Sequence, residues 1–108
     1  MESLKMQQRE TRSIINDSSV QLSRTSEQGP SQEYKVLNIS RGGLCFQSSE
    51  LFELNEKVKL DVIIKEQNIL TANGRVCYHN ETDDKAISNY GLSFLDHFID
   101  ADFIRQQK

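Results

Sequence analysis

From Lys57 to Lys65 the chain alternates with a period of two, placing Val58, Leu60, Val62 and Ile64 on one side and Lys57, Lys59, Asp61 and Lys65 on the other. A helix would scatter those four apolar groups around its axis, whereas an extended strand sends them all to one face. Only Ile63 departs from the alternation. After a turn at Glu66-Gln67-Asn68, a returning strand is expected to put Leu70, Ala72, Gly74, Val76 and Tyr78 on one face. Thr71, Asn73, Arg75, Cys77 and His79 fall on the other. Two such segments make a long antiparallel hairpin with one buried face, and that hairpin commits the chain to a β architecture.

Four more strands follow from the same reasoning. Val20 and Leu22 alternate with polar residues between Ser18 and Arg24. Thr25 to Glu33 holds the only proline, in Gly29-Pro30, and is predicted to be a loop. Tyr34–Ile39 and Leu44–Ser48 form a hairpin across Ser40-Arg41-Gly42-Gly43, where paired glycines would permit positive φ. The charged segment from Asn80 to Lys85 is a loop, after which Ser88–Leu95 returns Tyr90, Leu92 and Phe94 to the core. Phe98, Ile99, Ala101, Phe103 and Ile104 have helical spacing, so a short helix capped by Asp96 or Asp100 is expected to plug one end. Six short strands in an open meander would leave unpaired edges, so the predicted fold is all-β, a six-stranded antiparallel barrel with a C-terminal α-helix. Residues 18–108 constitute that barrel and helix. Residues 1–17 have few large apolar groups, and they are expected to be a flexible N-terminal arm.

Several function classes are excluded by bulk properties. At 108 residues the chain holds one module. Its 13 basic and 16 acidic residues give a net charge of −3, which disfavours general nucleic-acid binding through phosphate neutralisation. No apolar run approaches the ~20 residues of a membrane span, nor is there the apolar core of a signal peptide. A cytoplasmic protein without membrane insertion is therefore expected. Cys45 and Cys77 lie in apolar segments and are predicted to be reduced, buried or half-buried thiols. Together with His79 and His97 they lack the spacing of a zinc site, so no metal is expected. Neither histidine has an adjacent nucleophile and Asp83-Asp84 lies in a solvated loop, which gives no catalytic constellation.

The remaining signal is local. Asn38-Ile39-Ser40-Arg41-Gly42-Gly43 interrupts two apolar runs, and Arg9 and Arg12 lie about two dozen residues upstream. Asn and Ser bond their own backbone and Gly tolerates unusual geometry, so Asn-x-Ser-x-x-Gly alone is also common turn chemistry. With the arginines, and with Asn73-Gly74-Arg75-Val76 and Tyr90-Gly91-Leu92-Ser93-Phe94 downstream, the pattern resembles PilZ domains over residues 8 to 98. The resemblance implies a bacterial, non-enzymatic β-barrel receptor for cyclic di-GMP, with paired arginines on an arm that folds over the ligand. Carried over, the ligand-binding residues are Arg9, Arg12, Asn38, Ser40 and Gly43, with Arg41 as an added phosphate contact. Arginine's planar fork suits both phosphate and the O6 and N7 of guanine. The family's pair is Arg-x-x-x-Arg, whereas Arg9 and Arg12 are separated by only two residues and Gln8 stands four before Arg12. With no output domain, such a receptor would signal as an adaptor to an unidentified protein effector. The alternative is a degenerate PilZ domain acting as a nucleotide-independent interaction module.

Overall fold

The computed structural model describes residues 13–24 and 31–106. Six strands, β1 (Ser18–Arg24), β2 (Gln32–Ser40), β3 (Gly43–Ser48), β4 (Lys57–Ile64), β5 (Gln67–Glu81) and β6 (Ser88–Phe94), precede a helix, α1 (Ala101–Gln106). They close into a barrel in the order β1-β2-β3-β6-β5-β4, every neighbouring pair antiparallel. Closure removes the exposed edges that a six-stranded meander would present. As its alternation requires, β4 buries Val58, Leu60, Val62 and Ile64. Opposite them Leu44, Phe46, Val76, Tyr90 and Leu92 complete a continuous core. Each fully buried aliphatic or aromatic side chain contributes about 1.5–3 kcal/mol.

The two mouths are closed differently. At one, Phe52 packs edge-on against Phe46 and Tyr90, with ring centroids 5.3 Å apart in both pairs, and its amide donates to the Tyr90 hydroxyl at 3.1 Å. At the other, the segment before α1 is tied to the β2–β3 turn, because the Ile99 amide donates to the Arg41 carbonyl at 3.0 Å. Ile99 and Ile104 join the core from this side. Asp100 caps α1 by accepting from the Asp102 amide at 2.8 Å. Asp96 is used elsewhere. Its carboxylate accepts from the Asn73 amide at 2.9 Å and from Asn73 Nδ2 at 2.7 Å, and these bonds hold its pKa below the ordinary carboxylate value.

Backbone details depart from the sequence-based expectation at four places. No glycine among the described residues has positive φ, so the Arg41-Gly42 turn does not rely on that freedom. The β4–β5 turn is Lys65-Glu66, one step earlier than expected, and both residues have positive φ (51° and 69°), as a type I′ turn demands. A register shift between Val76 and Tyr78 leaves Cys77 as an extra residue on β5. Beyond it the faces exchange: the half-buried Tyr78 lies outside against Gly91, while His79, on the opposite face yet exposed, stacks on Tyr90 at 4.8 Å. Cys77 is consequently exposed, while Cys45 is buried. Finally, Ser13 and Ile15 belong to the segment expected to be an arm, yet both are buried against the barrel.

Candidate functional site

The Asn38–Gly43 segment closes the β2–β3 hairpin. Its strands pair Asn38 with Cys45, Ile39 with Leu44 and Ser40 with Gly43, after a bulge that leaves Leu37 unpaired. That bulge decides which way the motif faces. With Val36 and Ile39 both in the core, the extra residue between them turns Asn38 and Ser40 away from the barrel interior, Asn38 half-buried and Ser40 buried within the turn.

Register then places the outward residues of four strands in two rows. Gly43 pairs with Ser93 and Ser93 with Arg75, so the first row reads Ser40, Gly43, Ser93, Arg75. Cys45 pairs with Gly91 and Gly91 with Tyr78, so the second reads Asn38, Cys45, Gly91, Tyr78. The residues between Asn38 and Ser40 on one side and Tyr78 and Arg75 on the other are therefore all small. Gly43, Cys45 and Gly91 are buried, and the Tyr78 ring lies directly over Gly91.

The motif residues also do structural work. The buried Ser40 hydroxyl donates to the Gly43 carbonyl at 3.3 Å, which closes the turn on itself. A Cβ on Gly43 would come within 2.4 Å of the Leu92 carbonyl oxygen, so glycine is required there by the close approach of β3 and β6. The turn's carbonyls are occupied as well, since the Phe94 amide donates to the Gly42 carbonyl at 2.9 Å. The exposed Arg41 has its guanidinium 5.3 Å above the Phe98 ring.

Gln8, Arg9 and Arg12 lie outside the described residues. The chain that follows them does not. Ser13 forms an isolated antiparallel bridge with Ile39, each amide donating to the other's carbonyl at 2.8 Å. Ile39 is the middle residue of Asn38-x-Ser40, so the residue after Arg12 is fixed within the motif itself.

Two clefts lie elsewhere. One, of about 580 Å³, opens between Arg24, Phe52, Glu56, His79 and Tyr90 at the mouth remote from the turn, and the Arg24 charge is paired with Glu56 at 3.1 Å. The other, of about 470 Å³, is lined by Asp17, Glu33 and Glu66 against the single cation Lys65, a poor setting for phosphate. Among the described residues no cluster of His, Cys, Asp or Glu could hold a metal ion, and no helix is long and apolar enough to cross a membrane.

Sequence reasoning placed the β2–β3 turn but put Tyr78 on the face opposite to the observed one, because the bulge at Cys77 that turns it outward leaves no mark in the alternation. The one available signal was Gly91, a glycine inside a strand, which often marks the close approach of another group. Against family models, the chain matches that of the PilZ domain over residues 7–106, a span that includes Gln8, Arg9 and Arg12. Comparison with curated proteins and with solved structures gives no match.

Proposed function

This chain belongs to the PilZ domain family, and from that membership we propose that it is a cytoplasmic, non-enzymatic receptor for cyclic di-GMP. Its ligand would lie on the outer face of β2, β3 and β6. The observation that carries this reading is the Ser13–Ile39 bridge, which holds the residue following Arg12 between Asn38 and Ser40. Arginines on an unanchored tail would lose much of their gain in affinity to ordering entropy. Arg12 directly precedes the anchored Ser13 in sequence, and Arg9 lies three residues further back.

The roles follow from chemistry. Arg9 and Arg12 pair with phosphate or stack on guanine, Asn38 offers both an amide donor and a carbonyl acceptor to a guanine edge, and Arg41 adds positive charge at the turn. Ser40 and Gly43 shape the backbone that meets the ligand, and Tyr78 offers a ring on which a base can stack. Ligand binding orders residues 1–12 against the barrel, and the resulting surface is read by a protein effector.

A second reading is favoured by specific observations. Ser40 and Gly43 have sufficient structural reasons to be where they are, and the arginine pair is one residue closer than the family's pattern. A PilZ domain that has lost its ligand would retain both features and act as a constitutive interaction module. Calorimetric titration of the full chain with cyclic di-GMP separates the two readings. Saturable binding at one or two nucleotides per chain supports the receptor, and absence of heat at high micromolar nucleotide supports the interaction module.

A further inference from the structure

We propose that the end of β5, residues 79–81, and the leucine-lined cleft beside it form a docking site for an extended, basic segment of a partner protein, which adds to the barrel as a strand. This site is separate from the β2–β3 turn and stands whether or not the chain binds cyclic di-GMP. β5 outruns its neighbour on one side. It pairs with β4 only as far as Arg75. Val76 is then met by the loop before β4, its carbonyl accepting from the Asn55 amide at 2.7 Å and its amide donating to the Glu56 carbonyl at 2.9 Å. With β6 the pairing continues through His79, Asn80 and Glu81. Among the described residues no strand lies along the other side of these three, and all three are exposed. Amides and carbonyls along an antiparallel strand point alternately to its two sides, so some of theirs are directed away from β6, toward any chain that runs alongside.

The same stretch borders an apolar hollow. His79 lines the cleft of about 580 Å³ at this mouth together with Leu51 and Leu54. Both leucines are well exposed, at 79 % and 58 %, although they flank a concave surface. Large apolar side chains gathered around a hollow mark an interaction site more than leucines scattered singly do. The buried rings of Phe52 and Tyr90 supply the floor, and His79 is stacked on Tyr90. Residues paired across two strands share a face, so a strand laid beside residues 79–81 would send every second side chain to the face that His79 occupies, over the cleft. Backbone bonds would then supply affinity and the leucine-lined hollow would supply selectivity for an apolar side chain.

Charge selects the occupant. Ser48 pairs with Ser88 and Ser88 with Glu81, so the segment after β3 and the β5–β6 loop leave the barrel at one end. With Glu81 they carry Glu50, Glu53, Asp83 and Asp84 against Lys85, while Glu56 is paired with Arg24 at 3.1 Å. A second copy docked edge to edge would bring these acids against their own equivalents, which costs affinity. A segment with lysine or arginine between its apolar residues meets the opposite charge at the same positions.

The test is calorimetric titration of the full chain, without nucleotide, with a blocked heptapeptide of alternating lysine and valine, followed by amide exchange. Saturable binding below about 1 mM is expected, with new protection of amides within residues 79–81. Methylating the peptide's backbone nitrogens along one of its edges should abolish binding, and along the other should spare it, because an added strand bonds through one edge only. Leu51→Ser and Leu54→Ser, both at exposed positions, should each weaken binding about tenfold or more, and thermal melting checks that both are folded. The counterpart peptide with glutamate for lysine should not bind. No binding of the lysine peptide, equal binding of the glutamate peptide, tolerance of methylation along both edges, or parent affinity in both leucine variants overturns the proposal. Protection of these amides in the free chain overturns it too, and sedimentation then separates a second copy from the chain's own segments as the occupant.

Discussion

Asn38 and Ser40 stand two residues apart on one strand, but their side chains answer to different demands. Asn38 is half-buried at the outer surface, whereas the Ser40 hydroxyl is buried in a bond to the Gly43 carbonyl. Asn38→Ala should lower affinity for cyclic di-GMP several-fold, the loss of about 1 kcal/mol. Ser40→Ala should cost about 1 kcal/mol of stability as well, which urea denaturation would register. A similar contrast separates two glycines. A Cβ at Gly43 meets backbone, the Leu92 carbonyl oxygen at 2.4 Å, so Gly43→Ala should destabilise the barrel by roughly 1–3 kcal/mol. At Gly91 the obstacle is a side chain, the Tyr78 ring at 2.1 Å, in place of backbone. Gly91→Ala should accordingly perturb ligand binding more than melting temperature, and an equal loss of stability in both variants would show that the Tyr78 ring is locked.

The strands were legible in the sequence where burial is one-sided and the pairing uninterrupted. β4 is the clearest case, because every second residue enters the core and its outward neighbours are mostly charged. Bulges were not legible. Leu37, Ile69 and Cys77 are each left without a cross-strand partner by a register shift, and such a shift depends on the neighbouring strand rather than on the residue itself. The consequence is large at Cys77, where it exchanged the faces of Tyr78 and His79 and moved a candidate ligand contact to the outer surface. Turn chemistry misled for a related reason. Glycine pairs suggested positive φ at Gly42-Gly43, yet the left-handed positions are Lys65 and Glu66, neither a residue type that favours them. Replacing that pair by Asn-Gly, the preferred type I′ sequence, should stabilise the barrel by about 1 kcal/mol or more. Chemical denaturation of the Lys65→Asn/Glu66→Gly variant tests this, and a lower midpoint would mean that the lysine and glutamate side chains contribute contacts that outweigh the backbone strain.

At the scale of the whole molecule, one short bridge couples the barrel to the arginines. Ser13 and Ile15 pack on the barrel, so the segment expected to be an arm through residue 17 is tethered at residue 13. Apolar content alone did not reveal this, because the anchor is a pair of backbone hydrogen bonds plus a single isoleucine. The tether ranks the arginines by distance along the chain: Arg12 is one residue from the anchor, Arg9 four and Gln8 five. Each further residue between an anchor and a contact adds chain that binding must order. Arg12→Ala should therefore weaken cyclic di-GMP binding more than Arg9→Ala. Gln8→Arg, which recreates Arg-x-x-x-Arg with Arg12, should tighten it by up to about 1.5–3 kcal/mol less the entropy of ordering one more residue. Titrations at matched ionic strength decide the register, since charge effects scale with screening. If Arg9→Ala abolishes binding and Gln8→Arg changes nothing, Arg9 already fills the first arginine's role and the tether absorbs the one-residue difference. If none of the three variants alters a measurable affinity, the arm takes no part in the site, and the binding energy must come from the barrel's outer face alone.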